Sequence, residues 1–373
     1  MKKVLIIGGG FAGLSAARRL NRERDVSVTL VDKNKTSHFL PLLPDLVGRR
    51  IPPSFLQCSL HDLSRKYGFS FVQDNVTSVD FKGNMVKTAS LSITFDFLIL
   101  ASGSQTNFYG QENLKNQAFS LGSVDDAFSI LENVKQSLWD NFVIAGGGYT
   151  GIEIATHICR FLAKNKQEKR ITVIERAGRL LANLPEEFRH YSERNLQLMN
   201  IDILLETTVK DVTQDRKVVL SNGEVFSNAM LIWTAGVKTG DLIGNMDYKK
   251  TRQGRLVVDE YLRLDECVFA AGDVAHIEHK GLALRMGVQF SLSEGLLAAE
   301  NIIRTMKKKP LKPYRPVDLG YVVPMANGRS CGIVLGMPVY GCIPTFLHYF
   351  MGIYRSWTWE NRIGILKSLI KGG

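Results

Sequence analysis

Cysteine is scarce in this chain, and so is acid in its last part. The 373 residues hold five cysteines, Cys58, Cys159, Cys267, Cys331 and Cys342, with no C-x-x-C pair among them. That excludes a disulfide framework and a cysteine zinc site, and it fits a reducing compartment. The seven histidines show no metal-ligand spacing, so no metal is expected. There is no low-complexity segment, no short-period repeat and no Ser/His/Asp arrangement for a triad. The start, Met1-Lys2-Lys3-Val4-Leu5-Ile6-Ile7, mimics a signal peptide, but its apolar run is too short and glycines interrupt it at once. A clean hydrophobic span is missing too. Ser330–Tyr354 carries no Asp, Glu, Lys or Arg, yet Gly332, Gly336, Pro338, Gly341 and Pro344 break it up.

What is present points to a folded, multidomain chain. Hydrophobic residues make up 45% and charged residues 22%, which excludes a disordered chain and leaves room for two or three domains. The net charge of +11 is uneven. From Arg304 to Gly373 there are eleven Lys/Arg against two Asp/Glu. The basic residues there are tied to apolar runs rather than to a reading module, so nucleic acid is not the expected partner.

Two glycine motifs carry the chemistry. Val4–Ile7 reads as a strand, followed by Gly8-Gly9-Gly10-Phe11-Ala12-Gly13, a helical stretch Leu14–Leu20, and the strand Val26–Val31 ending at Asp32. The pattern recurs at Phe142–Ala145, Gly146-Gly147-Gly148-Tyr149-Thr150-Gly151, a helix from about Ile152 to Ala163, and the strand Ile171–Ile174 ending at Glu175. A single G-x-G-x-x-G is weak; two, each between strand and helix with an acid at the next strand end, are strong. Gly8 and Gly146 permit the tight turn. Gly10 and Gly148 let backbone approach a pyrophosphate, and Gly13 and Gly151 let helix and strand pack. The helix N-termini supply free N–H groups for phosphate. Asp32 and Glu175 would accept hydrogen bonds from ribose hydroxyls, and the Glu175 carboxylate would repel a 2′-phosphate, favouring NADH over NADPH. Two dinucleotides in one chain suggest FAD, a nicotinamide cofactor and hydride transfer between them.

With these motifs in place, the sequence resembles the two-dinucleotide flavoproteins of the pyridine nucleotide–disulfide oxidoreductase type. The strand ends Ala101-Ser102-Gly103-Ser104 and Thr234-Ala235-Gly236 are similar to that family's A-T-G elements, and Val268–Asp273 to its second FAD motif. Within the family it most resembles the type II NADH dehydrogenases. His38-Phe39-Leu40-Pro41-Leu42-Leu43, Thr106-Asn107-Phe108-Tyr109-Gly110 and Leu231–Val237 carry that likeness. A departure lies at Val288–Gly295, where Gln289 matches the quinone-side motif and Ser293 replaces its second glutamine.

The resemblance implies an α/β fold with two Rossmann-like domains. Residues 1–110 and 240–315 would bind FAD, 111–239 would bind NADH, and 316–373 would form a C-terminal membrane-association or dimer segment. FAD contacts carry over to Gly8, Gly10, Phe11, Ala12, Gly13, Asp32, Lys33, Pro41, Val76, Ala101, Ser102, Gly103, Gly272 and Asp273. NADH contacts carry over to Gly146, Gly148, Tyr149, Thr150, Gly151, Glu175, Ala235 and Gly236. Glu153 matches the glutamate of G-x-G-x-x-G-x-E, near the nicotinamide, with a role there or in proton supply. Gln289 would meet quinone or flavin, and Arg329 would set a cation near the flavin.

The implied activity is NADH:quinone oxidoreduction without proton pumping. The alternatives are sulfide:quinone or another NAD(P)H:acceptor reductase, and an NADH-responsive flavin-binding regulatory protein. In the tail, Ile363, Leu366 and Ile370 form an apolar stripe beside Arg362, Lys367 and Lys371. That pattern fits a peripheral helix on an anionic membrane surface, expected at the cytoplasmic face, with a homodimer contact as the other reading.

Overall fold

The computed structural model describes residues 1–136 and 138–372. It divides into two compact units, each with its own parallel sheet. The first comprises 1–37, 58–105 and 237–318; the second comprises 38–57, 106–236 and 319–373. The sequence-based boundaries near 110, 240 and 315 differ from these in two ways. Residues 38–57 group with the second unit, and so does the tail from 319 onward.

In the first unit, five strands lie in the order Val268–Ala270, Phe97–Leu100, Lys2–Ile7, Val26–Asp32 and Ser70–Gln73. All adjacent pairs are parallel. The central strand is a near-continuous apolar run, with Val4 to Ile7 at most 4% exposed. That is what a parallel strand covered on both faces requires. The Phe11–Leu20 helix makes the crossover to Val26–Asp32, burying Phe11, Leu14, Ala16, Ala17 and Leu20 and carrying Arg18 and Arg19 in its last turn. The long Val288–Met306 helix packs on it so closely that a Cβ at Gly295 would stand 2.1 Å from the Ala12 carbonyl oxygen. An antiparallel ribbon, Val76–Asp80, Met85–Thr88 and Ser92–Thr94, completes this unit's larger sheets.

The second unit repeats the plan. Its order is Phe119–Ser120, Ala229–Trp233, Asn141–Ala145, Arg170–Ile174 and Ile201–Leu204, again all parallel. The Tyr149–Lys164 helix crosses from the third of these to the fourth. An antiparallel three-stranded sheet, Gly320–Val323, Ser330–Val334 and Met337–Gly341, leads into two helices, Cys342–Arg355 and Trp359–Gly372. The glycines that break the uncharged Ser330–Tyr354 stretch turn the chain at Gly336 and Gly341, both in the left-handed region (φ 81° and 78°). Among the described residues, no helix is long and apolar enough to cross a membrane.

Candidate functional site

Each unit holds one glycine loop between its central strand and its first helix, and the two loops match closely. Gly8 and Gly146 sit at φ 110° and 112°, a conformation that glycine adopts without penalty. A Cβ on Gly13 would stand 1.9 Å from the Gly8 carbonyl oxygen, and one on Gly151 would stand 1.8 Å from that of Gly146. These glycines are required by the loop's own packing.

Gly10 and Gly148 differ. They cap their helices with ordinary negative φ, −81° and −83°, and no side chain caps either end. A Cβ on either would meet nothing within 4 Å. The protein itself does not need glycine there. A phosphate drawn against the free helical N–H groups does, because a methyl would stand in its path. Both loops therefore fit a dinucleotide pyrophosphate.

The acids are held by the loops. Gly9 donates its N–H to Asp32 Oδ2 at 2.7 Å, and Asn34 donates to Oδ1 at 2.8 Å. Gly147 donates to Glu175 Oε2 at 2.7 Å, and Ala177 donates to Oε1 at 2.8 Å. A carboxylate has about four lone-pair sites, so each acid keeps acceptor capacity for a ribose.

The first unit gathers further expected FAD residues around its loop. A Cβ on Gly8 would press on the Ala101 carbonyl at 2.2 Å, next to Ser102 and Gly103, and one on Gly272 would approach the Ala12 Cβ at 3.1 Å. Ser104 Oγ donates to Asp273 Oδ2 at 2.7 Å. Phe11 and Ala12 are buried, Lys33 is exposed, and Val76 is half-buried at the start of the ribbon. No motif marks Glu294, yet its Oε2 accepts from the Gly272 N–H at 2.6 Å. Burial pushes the Glu294 carboxyl up to about 7.

The second unit places Ala235 against its own loop, with Gly146 pressed toward Thr234 and Ala235, while Gly236 lies against Tyr109. Tyr149 is half-buried with its ring edge on Tyr321, and Thr150 is exposed at the helix start. Pro41 lies in the Leu40–Leu42 turn and belongs to this unit, not to the one that holds the first glycine loop. Arg329 is exposed in the turn before Ser330–Val334. Gln289 belongs to the first unit, where its amide donates to Asp318 Oδ1 at 3.1 Å, an oxygen pair also held by Arg285.

Glu153 is the site residue whose surroundings the sequence did not show. It lies two residues past Gly151, just beyond the first turn of its helix, which starts at Tyr149 rather than at Ile152 as the sequence suggested, and it is buried. Burial, with Asp45 nearby, pushes its carboxyl well above the usual range. Its neighbours come from distant parts of the chain. Asp45 on the Leu43–Gly48 helix is fully buried, and His348 stands on the Cys342–Arg355 helix. His348 Nε2 is 3.7 Å from Glu153 Oε1 and 3.9 Å from Asp45 Oδ2. The other Asp45 oxygen accepts from Tyr349 OH at 2.9 Å and lies 3.3 Å from Arg49 Nε. Burial alone would raise Asp45; His157, His348 and Arg49 outweigh it and hold the carboxyl below its usual range. His157 is buried as well, and burial lowers its ring to about 4 against the opposing pull of Asp45.

A family model for the pyridine nucleotide-disulphide oxidoreductases matches residues 2–290. The chain belongs to that family. Among similar curated proteins of this kind, a demethylphylloquinone reductase, NdbB of Synechocystis, is 27% identical over 97% of this chain and 94% of its own length. A type II NADH:quinone oxidoreductase of Haemophilus influenzae is 26% identical over 89% and 87%. In fold, this oxidoreductase is similar to NDH2 from Plasmodium falciparum, solved in complex with NADH, with a TM-score of 0.88 at 17% identity over 99% and 98% of the two chains. A sulfide:quinone oxidoreductase from Aquifex aeolicus gives a TM-score of 0.83 at 19% identity, over 98% and 92%.

Proposed function

We propose that this oxidoreductase binds FAD in its first unit and NADH in its second, and passes reducing equivalents from NADH to a quinone. The observation that carries the reading is the pair of open glycines, Gly10 and Gly148, each beside an acid fixed by backbone N–H groups. Relatives named for NADH:quinone and demethylphylloquinone reduction, matched over most of both chains, support the acceptor class. FAD, when bound, supplies the hydride-accepting and electron-donating chemistry.

The chain's own residues bind and orient. The N–H groups at the starts of the Phe11–Leu20 and Tyr149–Lys164 helices hold the two pyrophosphates. Asp32 and Glu175 hold the riboses, and Glu175 turns away a 2′-phosphate. Lys33, Pro41, Val76, Ala101, Ser102, Gly103, Gly272 and Asp273 serve the flavin side. Tyr149, Thr150, Ala235 and Gly236 serve the nicotinamide side. Glu153, whose carboxyl is pushed up by burial, is assigned a role at the nicotinamide or in proton supply. Gln289 is assigned to quinone or flavin, and Arg329 to a cation near the flavin, on the resemblance alone.

The sulfide alternative asks for reactive thiolates. Burial instead pushes the Cys331 thiol up to about 11 and raises Cys159 and Cys267 above their ordinary values.

The tail is assigned to a membrane surface, the phase in which quinones dissolve. Ile343, Phe346, Phe350 and Tyr354 are exposed along the Cys342–Arg355 helix, and Trp359, Ile363, Leu366 and Ile370 along the last one. Lys367 and Lys371 are basic neighbours that suit anionic lipid.

The test is NADH consumption by the purified yellow protein with and without a short-chain quinone. Fast consumption only with quinone supports the reading. Flavin bleached by NADH but not turned over by quinone would remove the acceptor assignment. Slow reoxidation by every acceptor would favour the regulatory alternative.

A further inference from the structure

Asp45 Oδ2, Glu153 Oε1 and His348 Nε2 face one another in the interior of the second unit, all within 4.8 Å. Each of the three is a buried atom with no hydrogen-bond partner among the described residues. Buried polar atoms are ordinarily satisfied, so three orphans sharing one space call for something between them. A fourth group points the same way. His157 is 1% exposed, neither of its ring nitrogens is hydrogen-bonded, and its Nε2 lies 3.6 Å from the Asp45 carboxylate.

We propose that Asp45, Glu153 and His348 bind a single divalent transition-metal ion of the zinc, iron(II) or manganese class. The donor set is one imidazole and two carboxylates, a set these ions take. Around an ion with bonds of about 2.1 Å, neighbouring ligand atoms stand about 3.4 Å apart. The His348 distances of 3.7 and 3.9 Å contract to that with small side-chain rotations.

The supporting shell is in place. Tyr349 OH and Arg49 Nε both address Asp45 Oδ1, which leaves Oδ2 turned to the shared space. Arg49 is itself engaged, donating to Tyr349 OH at 2.7 Å and stacked over its ring. Its charge thus acts on the far oxygen rather than in the site. A metal-binding carboxylate is normally held through its second oxygen in this way. Among the described residues, His348 is the one basic side chain within ion-pair distance of Glu153, so a cation would supply the charge that this acid lacks. His348 and Glu153 keep 13% and 10% of their side-chain surface exposed, which gives an ion a way in. Sequence spacing could not show the site, because its residues lie on the Leu43–Gly48, Tyr149–Lys164 and Cys342–Arg355 helices.

The test uses the FAD-loaded full chain, stripped with a chelator, dialysed against Zn²⁺ and passed through a desalting column. Elemental analysis should find about one zinc per chain, and zinc should raise the melting temperature. D45N and H348Q should lose at least about tenfold in zinc affinity, measured by competition with a chromophoric chelator, while keeping their FAD. Should either fail to fold, Y349F removes only the hydroxyl on Asp45 and should weaken zinc about tenfold. Zinc held equally well by the wild type and all of these variants would mean surface ions, and would overturn the proposal. Failure of the wild type to retain zinc would overturn it too, leaving bridging water as the occupant. Neither result depends on the acceptor, so the quinone reading stands or falls separately.

Discussion

Gly147 donates its backbone N–H to Glu175 Oε2 at 2.7 Å, tying the second glycine loop to the acid that follows the Arg170–Ile174 strand. The other oxygen accepts from Ala177. Gln at this position has one acceptor and one donor end, so one of the two backbone donors would face an NH₂ group. E175Q should therefore disturb the loop nearly as much as E175A. Both should raise KM for NADH by roughly ten- to a hundredfold, the worth of a hydrogen bond to a charged group. Both should also narrow the preference for NADH over NADPH, read as the ratio of the two kcat/KM values. An unchanged ratio would remove Glu175 from cofactor selection.

Two glycines of one motif should fail differently. An added methyl at Gly148 meets no protein atom, so G148A should fold with a stability within about 0.5 kcal/mol of the parent. It should nevertheless bind NADH poorly, since the methyl stands where the pyrophosphate approaches. At Gly151 the methyl would lie 1.8 Å from the Gly146 carbonyl, and the loop itself must open. G151A should lose several kcal/mol in thermal unfolding as well as NADH binding. Equal melting temperatures for the two variants would contradict this division.

The parts of the site that could be read in the sequence are those held by short-range geometry. Gly8 to Asp32 and Gly146 to Glu175 each form one βαβ unit, so residue spacing alone places loop, helix and acid. Glu153 was legible as a position but not as an environment. Its high carboxyl pKa comes from burial beside Asp45, more than a hundred residues earlier in the chain, and His348 arrives on a helix near its other end. No local pattern encodes those approaches. Gln289 shows the reverse: its place near a helix start was readable, while its partner Asp318 was not. The tail was legible as apolar and basic, because amphipathic spacing is local. That it would cluster with the second unit's sheet depended on long-range packing.

Glu294 makes stability depend on pH in a stated direction. Burial raises its folded-state value from 4.5 to about 7, against the opposing Gly272 N–H and Arg255. The folded protein therefore holds this proton more tightly than the unfolded chain. The contribution is full below about 4.5 and is lost as pH rises through about 7, a change on the order of 3 kcal/mol. E294Q cannot ionise and should flatten that part of the profile. Denaturant unfolding of both proteins at pH 5 and pH 8 checks it. A parallel pH dependence in the two would show that Glu294 titrates normally.

The apolar face of the tail should matter to vesicle binding and little to the fold. Phe346 and Phe350 are 67% and 52% exposed, with rings stacked at 6.2 Å, so they contribute little to the core. On a bilayer each would bury apolar surface worth about 1.5–3 kcal/mol. F346S/F350S should lower partitioning onto anionic vesicles by at least about tenfold, with the melting temperature nearly unchanged. Binding of the parent should weaken with added salt, because the net charge from Arg304 onward is positive and anionic lipid is screened within a Debye length. Turnover with a soluble short-chain quinone should survive the double substitution, while turnover with a bilayer-confined quinone should fall. If the parent ignores vesicles but doubles its mass with concentration, the face is a contact between two copies. In that case the double variant should remain monomeric.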